Sequence, residues 1–350
     1  MKKTIALLAA VMLLLAAALS ACGGTQDNIP DGEATGTPDG NADQTDPVPD
    51  GSEAPEEARN VFAEFFPVEN NVPSGKQFQI LARDLGEGIK GRVSEVNYTW
   101  RNGKVSMEIL AGVRDEYIAL TPPEESPLEL IYGESEFYNY VLYLPDGYDP
   151  ADTQTKWPVI YFFHGIGESG SDLERILSYG MPKYLLQGGK VNAIMIAPQC
   201  PGDSHWADTN VEEKKLVQFV PEMTEKYNID TDRMYLTGLS MGGRCTWKLA
   251  LAMPDAFAAI AVCCGRTNTY EFDTIADMPV WMFHGAGDGT VSFDNINKIV
   301  PLLAENDHRY YKLTVYPSGS HEIWSTVYSR PDLYDWLLAQ SLSANAAAAK

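Results

Sequence analysis

The chain is 350 residues long, 45% hydrophobic and 21% charged, with a formal net charge of −22 at pH 7. That length carries about two domains at roughly 100–200 residues each, and the composition excludes disorder over most of the chain and a polytopic membrane protein. The acidic balance excludes nucleic acid as a partner, because such affinity rests on Lys and Arg neutralising phosphates.

Lys2 and Lys3 precede an apolar run from Ile5 to Leu19. This is the layout of a secretory signal over residues 1–21, too short for a lasting transmembrane span. The run ends in Leu19-Ser20-Ala21-Cys22, which resembles the lipobox of bacterial lipoproteins. The resemblance implies cleavage before Cys22, acylation of that cysteine and a chain tethered to the outer face of a membrane. Durable anchoring needs more than one acyl chain.

Residues 22–59 hold ten acidic side chains between Asp27 and Glu57, so this stretch alone carries nearly half the net charge. It has too little apolar surface to offset ordering entropy and is expected to be a disordered tether. With about 38 residues its r.m.s. reach is about 31–37 Å. That exceeds the radius of gyration of about 19 Å for a folded body of about 290 residues. The remaining cysteines, Cys200, Cys245, Cys263 and Cys264, show no CxxC or Cys/His metal spacing and are expected as buried free thiols.

Residues 60–125 read as β-rich. Asn102-Gly103 is a type I′ turn signal, and a two-residue loop there pairs Trp100 with Val105, Tyr98 with Met107 and Val96 with Ile109. The stretch is predicted to be a small accessory β domain; the alternative is that it supplies outer strands to the sheet of the 126–342 region.

Over 126–342 short apolar strands alternate with amphipathic helices. Strands are predicted at Tyr138–Leu144, Pro158–Phe163, Val191–Ala197, Arg233–Thr237, Phe257–Val262, Pro279–Phe283 and Tyr311–Tyr316. Helices are predicted at Leu173–Leu186, Glu212–Tyr227, Met241–Met253, Phe293–Asn306 and Asp332–Gln340. This is an α/β pattern with a mostly parallel sheet covered on both faces, and its ligands belong beyond the carboxyl ends of the strands. Residues 343–350 read as a disordered tail.

Gly238-Leu239-Ser240-Met241-Gly242 matches G-x-S-x-G between a predicted strand and a predicted helix, the context of a nucleophile elbow. A serine nucleophile needs a base. His164 and His284 end buried strands and read as structural, His205 precedes the serine, and His308 lies in a polar turn expected to be solvated. His321, in the loop after the last strand, is the predicted base. Asp288, in the loop after Pro279–Phe283, is the predicted orienting carboxylate, with Asp294 as the alternative. The oxyanion donors are predicted at the backbone N–H of Met241 and at that of Ile166, with Gly167 as second choice for the latter. No G-K-[ST] follows the glycine-rich loop at 165–170, which argues against a phosphate cradle.

The order Ser240, Asp288, His321 resembles that of the α/β-hydrolase superfamily. More narrowly, the chain resembles the esterase/peptidase group related to feruloyl and acetyl-xylan esterases and polyhydroxybutyrate depolymerases. The stretches that carry this are HGIGESGSD at 164–172, APQCP followed by Trp206, YNIDTDRMYLTGLSMGG at 227–243, HGAGD at 284–288 and GSHEIW at 319–324. Ser292 stands where such relatives usually have Pro. The group often carries an N-terminal immunoglobulin-like β domain. The resemblance implies an extracytoplasmic serine hydrolase cleaving carboxylic esters, such as acyl groups on polysaccharide, through an acyl-enzyme. A prolyl-oligopeptidase-like peptidase and a non-catalytic binding lipoprotein are the alternatives. Trp206 and Glu168 are expected either to line the substrate pocket or to be structural. No metal or organic cofactor is implied.

Overall fold

The computed structural model describes residues 72–79, 93–111, 128, 130–206, 210–267 and 271–349. The signal, Cys22, the acidic tether and much of the 60–125 stretch lie outside the described residues. Among the described residues no helix is long and apolar enough to cross a membrane.

A ten-stranded sheet organises the chain. Its strands are β1 (Val93–Arg101), β2 (Lys104–Ala111), β3 (Ile131–Glu134), β4 (Asn139–Tyr143), β5 (Trp157–Phe163), β6 (Ile194–Pro198), β7 (Ile229–Leu239), β8 (Ala259–Cys263), β9 (Val280–Gly285) and β10 (Tyr310–Tyr316). Their order across the sheet is β2-β1-β10-β9-β8-β7-β5-β6-β4-β3. From β10 to β6 all pairs are parallel; the hairpin at one edge and β4–β3 at the other are antiparallel. The helices are α1 (Gly180–Leu186), α2 (Asn210–Lys226), α3 (Met241–Ala252), α4 (Asp294–Glu305), α5 (Trp324–Tyr328), α6 (Pro331–Leu338) and α7 (Leu342–Ala348).

The central strands are apolar on both sides because each side has its own helical cover. Val159, Tyr161 and Phe163 of β5 join a core with Phe219 of α2, Trp247 of α3 and Ile299 of α4. The intervening Ile160 and Phe162 join a second core with Leu185 of α1, Tyr328 of α5 and Leu337 of α6. Strand alternation thus feeds two hydrophobic layers.

The predicted hairpin register is the observed one: Trp100 faces Val105, Tyr98 faces Met107 and Val96 faces Ile109. Asn102 (φ 50°) and Gly103 (φ 71°) both take the left-handed conformation that a type I′ turn demands. The accessory-domain expectation does not hold for these strands, however. β1 pairs along Val96–Arg101 with β10, so the hairpin is the outer edge of the main sheet. A two-stranded ribbon is marginal on its own. Here Trp100 stacks on Tyr311 at 4.7 Å between ring centroids, and Tyr98 lies edge-on to Phe78 at 6.2 Å.

The predicted disordered tail is also corrected. Ser341 Oγ caps α7 by accepting the Ala344 N–H, and Asn345 Nδ2 donates to the Ala258 carbonyl at 2.8 Å. Ser343 donates from both N and Oγ to the Asp232 carboxylate at 2.7 and 2.8 Å. An alanine-rich run has high helix propensity, and these contacts dock it on the body. The predicted helix at Leu173–Leu186 is split by Tyr179-Gly180 into a 3₁₀ segment, Leu173–Ser178, and α1. Gly180 (φ 66°) has no room for a side chain, since a Cβ would stand 2.2 Å from the Phe162 ring.

Candidate active site

β5 continues on one side to β6, and the chain then crosses back to β7 on β5's other side. Such a reversal opens a crevice at the carboxyl ends of the strands. The loop after β5 and the turn after β7 flank that crevice.

Ser240 follows β7 directly and holds φ 53° and ψ −114°, a backbone conformation disfavoured for a residue with a Cβ. The strain persists because the surroundings fix it. Ser240 N–H donates to the Cys263 carbonyl at 2.9 Å, and Arg244 N–H donates to the Ser240 carbonyl at 3.1 Å. A Cβ on Gly242 would lie 1.9 Å from the Phe163 carbonyl oxygen, and one on Gly238 would lie 2.5 Å from the Gly242 carbonyl carbon. The two glycines therefore let α3 approach β5 and β7 closely.

His321 Nε2 stands 2.9 Å from Ser240 Oγ, and its Nδ1 stands 2.7 Å from Asp288 Oδ2. The structure thus brings together all three residues selected from sequence. Asp294, the alternative, is exposed at the start of α4. Asp288 is buried, and its Oδ1 accepts the N–H groups of Thr290 and Val291 at 2.8 and 2.7 Å. Burial opposes its ionisation, but the bond from His321 and the two backbone donors hold the carboxyl below its ordinary value. For His321, burial disfavours the imidazolium, yet the hydrogen bond and charge of Asp288, with Cys264 adding in the same direction, raise its pKa.

Two neighbours behind this group were not singled out as participants from sequence. His284 is buried, donates from Nε2 to the Val291 carbonyl at 2.8 Å, and lies 3.4 Å from Asp288 Oδ2. Cys264, at φ 48°, places Sγ within 4.8 Å of donor atoms of His284 and Asp288. Cys200, Cys245, Cys263 and Cys264 are all buried free thiols, as expected. His284 is the sidewall of the Asp288 turn; its spacing of four residues from Asp288 was the one available signal.

The loop after β5 is tied down at several points. His164 Nδ1–H donates to the Gly165 carbonyl at 2.6 Å while Nε2 accepts the Cys200 N–H at 3.0 Å. Burial pushes the His164 pKa down to about 4, so the ring is neutral and structural. Gln199 Nε2 donates to the carbonyls of Glu168 and Asp172 at 2.8 and 2.7 Å. Arg175 donates to the carbonyls of Gly167 and Ser169 at 2.7 and 3.1 Å. With these carbonyls engaged, the loop is held in place with Ile166 exposed at its tip.

Trp206 parts company with the pocket-lining expectation. Trp206 is fully buried, edge-on to Tyr138 and Phe163 and tilted against His164 at 5.2 Å, so neither of its faces is open to a ligand. Glu168 is buried and folds back against Gly165; burial raises its carboxyl pKa. Trp206 is structural. The aromatic side chains beside the base are instead Trp324, edge-on to His321 at 5.3 Å, and Tyr179, edge-on to Trp324 at 5.9 Å and 40% exposed. His308 is likewise buried rather than solvated, packed edge-on to Tyr311 at 5.7 Å, and burial lowers its pKa to about 4.

A family model described as "Putative esterase" matches residues 136–345. The chain belongs to this esterase family. It is 29% identical over 130 residues to feruloyl esterase C of Emericella nidulans, an alignment covering 36% of this chain and 46% of that protein. It is 30% identical over 108 residues to the bifunctional acetylxylan esterase/xylanase XynS20E of Neocallimastix patriciarum, covering 31% of this chain and 16% of that protein. The chain therefore spans less than half the length of these two relatives. A crystal structure of a thermostable esterase superposes with a TM-score of 0.51 at 23% identity, covering 68% of each chain, and shares the α/β-hydrolase fold.

Proposed function

We propose that this protein is an extracytoplasmic serine hydrolase that cleaves carboxylic esters, with acetyl or feruloyl groups on polysaccharide as the substrate class. The single observation that carries this reading is the continuous chain Ser240 Oγ–His321–Asp288 at 2.9 and 2.7 Å, built on a strained elbow.

In this reading His321 Nε2 takes the Ser240 proton as Oγ attacks the ester carbonyl carbon. The resulting oxyanion is held by the backbone N–H groups of Met241, at the start of α3, and of Ile166 or Gly167. One such donor contributes about 2.7–4 kcal/mol to transition-state stabilisation. Collapse breaks the bond to the alkoxy oxygen, which leaves with the proton from His321. A water activated by the same imidazole then hydrolyses the acyl-enzyme. Tyr179 and Trp324 offer an aromatic wall for the acyl group beside the base. The lipobox-like Cys22 supports export and membrane tethering of the enzyme.

The test is a panel of p-nitrophenyl acetate, methyl ferulate, acetylated xylan and chromogenic peptides, with Ser240→Ala as control. Ester hydrolysis abolished by Ser240→Ala supports the proposal. Peptide cleavage without ester cleavage, or failure to label with a fluorophosphonate probe, overturns it.

A further inference from the structure

A second feature opens on the same rim of the sheet. It is a cavity of about 370 Å³ whose walls include Ser135, Glu136, Phe137 and Asn139 from the β3–β4 turn, with Ser171 and Gln199 from the loops after β5 and β6. β4 runs antiparallel to β6 with Tyr140 opposite Pro198, so the start of β4 stands at the carboxyl end of β6. The order β7-β5-β6-β4 places the cavity two to three strand spacings from Ser240. At about 4.8 Å per spacing this is about 10–15 Å. The loop after β5 joins the two places: a Cβ on Gly165 would lie 3.8 Å from the Ser240 Cβ, and Gly170 lines the cavity. Those glycines are five residues apart, so at most about 18 Å separates them.

The chemistry of the wall is specific. Among the described residues no Lys, Arg or His lines the cavity, and Glu136 adds a carboxylate, so an anionic ligand is disfavoured. The Asn139 amide, the Ser171 hydroxyl and the Glu136 carboxylate have no hydrogen-bond or ion-pair partner among the described residues. The Ser135 hydroxyl accepts the N–H groups of Phe137 and Tyr138, and its own proton has no acceptor among the described residues. Phe137 adds a half-buried ring. A wall that combines uncharged donors and acceptors with a carboxylate and an aromatic residue matches the hydroxyls and the apolar C–H face of a sugar ring. His321 stands after β10, on the opposite side of the nucleophile from this cavity.

We infer that the cavity is a subsite for a neutral sugar residue of the oligosaccharide whose ester Ser240 attacks. This deepens the ester-hydrolase reading and rests on it. The acyl group lies toward Tyr179 and Trp324, and the glycan extends from Ser240 across the β5 loop toward Asn139.

The test has two arms. In the first, Ser240→Ala enzyme is titrated calorimetrically with unesterified xylotetraose, cellotetraose and mannotetraose. At least one binds, and the affinity drops when Asn139→Ala and Ser171→Ala are added. In the second, Asn139→Ala, Ser171→Ala and Glu136→Ala in otherwise native enzyme are assayed on feruloylated and acetylated oligosaccharides and on methyl ferulate. Each lowers kcat/KM on the oligosaccharide esters by about two- to tenfold, the value of one hydrogen bond, through KM. Methyl ferulate turnover is unchanged. Equal losses on both substrate kinds, no loss on either, or absence of binding to all three tetrasaccharides overturns the subsite. Inactivity of the native enzyme on every ester, with tetrasaccharide binding intact, would instead sink the hydrolase reading and leave a sugar-binding cavity.

Discussion

Replacing Asp288 with Asn tests the proposed chemistry most directly, because the structure fixes which way the new amide must point. Oδ1 of Asp288 accepts two backbone N–H groups, from Thr290 and Val291, while Oδ2 faces His321 Nδ1. In Asp288→Asn the amide oxygen stays under those two donors. Turning it round would aim an NH₂ at two part-buried N–H groups and lose both bonds, at about 0.5–1.5 kcal/mol each, roughly 1–3 kcal/mol together. The NH₂ therefore faces His321 Nδ1, which has to accept. The imidazole proton moves to Nε2, and the nitrogen beside Ser240 Oγ becomes a donor that cannot take the serine proton. In the serine-protease template the same change costs about 10⁴ in kcat, or about 5.4 kcal/mol at 1.36 kcal/mol per decade. The expected result here is a fall of about 10³–10⁴ in kcat for p-nitrophenyl acetate, with fluorophosphonate labelling slowed in parallel. Tm should move by only a few degrees, since the backbone donors keep their acceptor. A folded Asp288→Asn enzyme that loses less than tenfold would refute the orienting role.

Three further outcomes rest on the same geometry. Asp288 and Cys264 raise the His321 pKa from 6.5 to about 9 against the opposing effect of burial, and the base must be neutral to act. The rising limb of kcat/KM is therefore centred near pH 9 rather than 6.5, and a plateau already complete by about pH 7.5 contradicts it. Gly242→Ala forces α3 away from β5, because its Cβ meets the Phe163 carbonyl oxygen at 1.9 Å. Overpacking of this kind costs about 1–3 kcal/mol or more, so a melting scan should show a loss of roughly 2–12 °C. An unchanged Tm would mean the helix has room to spare. Truncation after Gln340 removes α7 with its bonds to Ala258 and Asp232. Thermal denaturation should report a loss of about 1–3 kcal/mol at unaltered kcat/KM, whereas a tail that is not docked would leave Tm where it was.

The local sequence determined a good deal of this molecule. Gly238, Ser240 and Gly242 specify the elbow by themselves, because only glycines admit the approach of α3 to β5 and β7. Asn102-Gly103 sets the hairpin register through two left-handed residues. The strand–helix alternation from Tyr138 onward shows an α/β sheet, and the order Ser240, Asp288, His321 picks the three polar groups that meet. Tertiary structure alone decided where the hairpin goes: pairing of β1 with β10 joins residues more than two hundred positions apart, and no local pattern encodes a sheet edge. It decided that Trp206 and His308 are buried, since a side chain's exposure depends on what distant strands and helices lay against it. It also decided the docking of α7, which a low-complexity alanine run conceals, and the cavity by Asn139, assembled from three loops. Propensity and turn chemistry are written in neighbouring residues, whereas burial and the convergence of loops are properties of the packed chain.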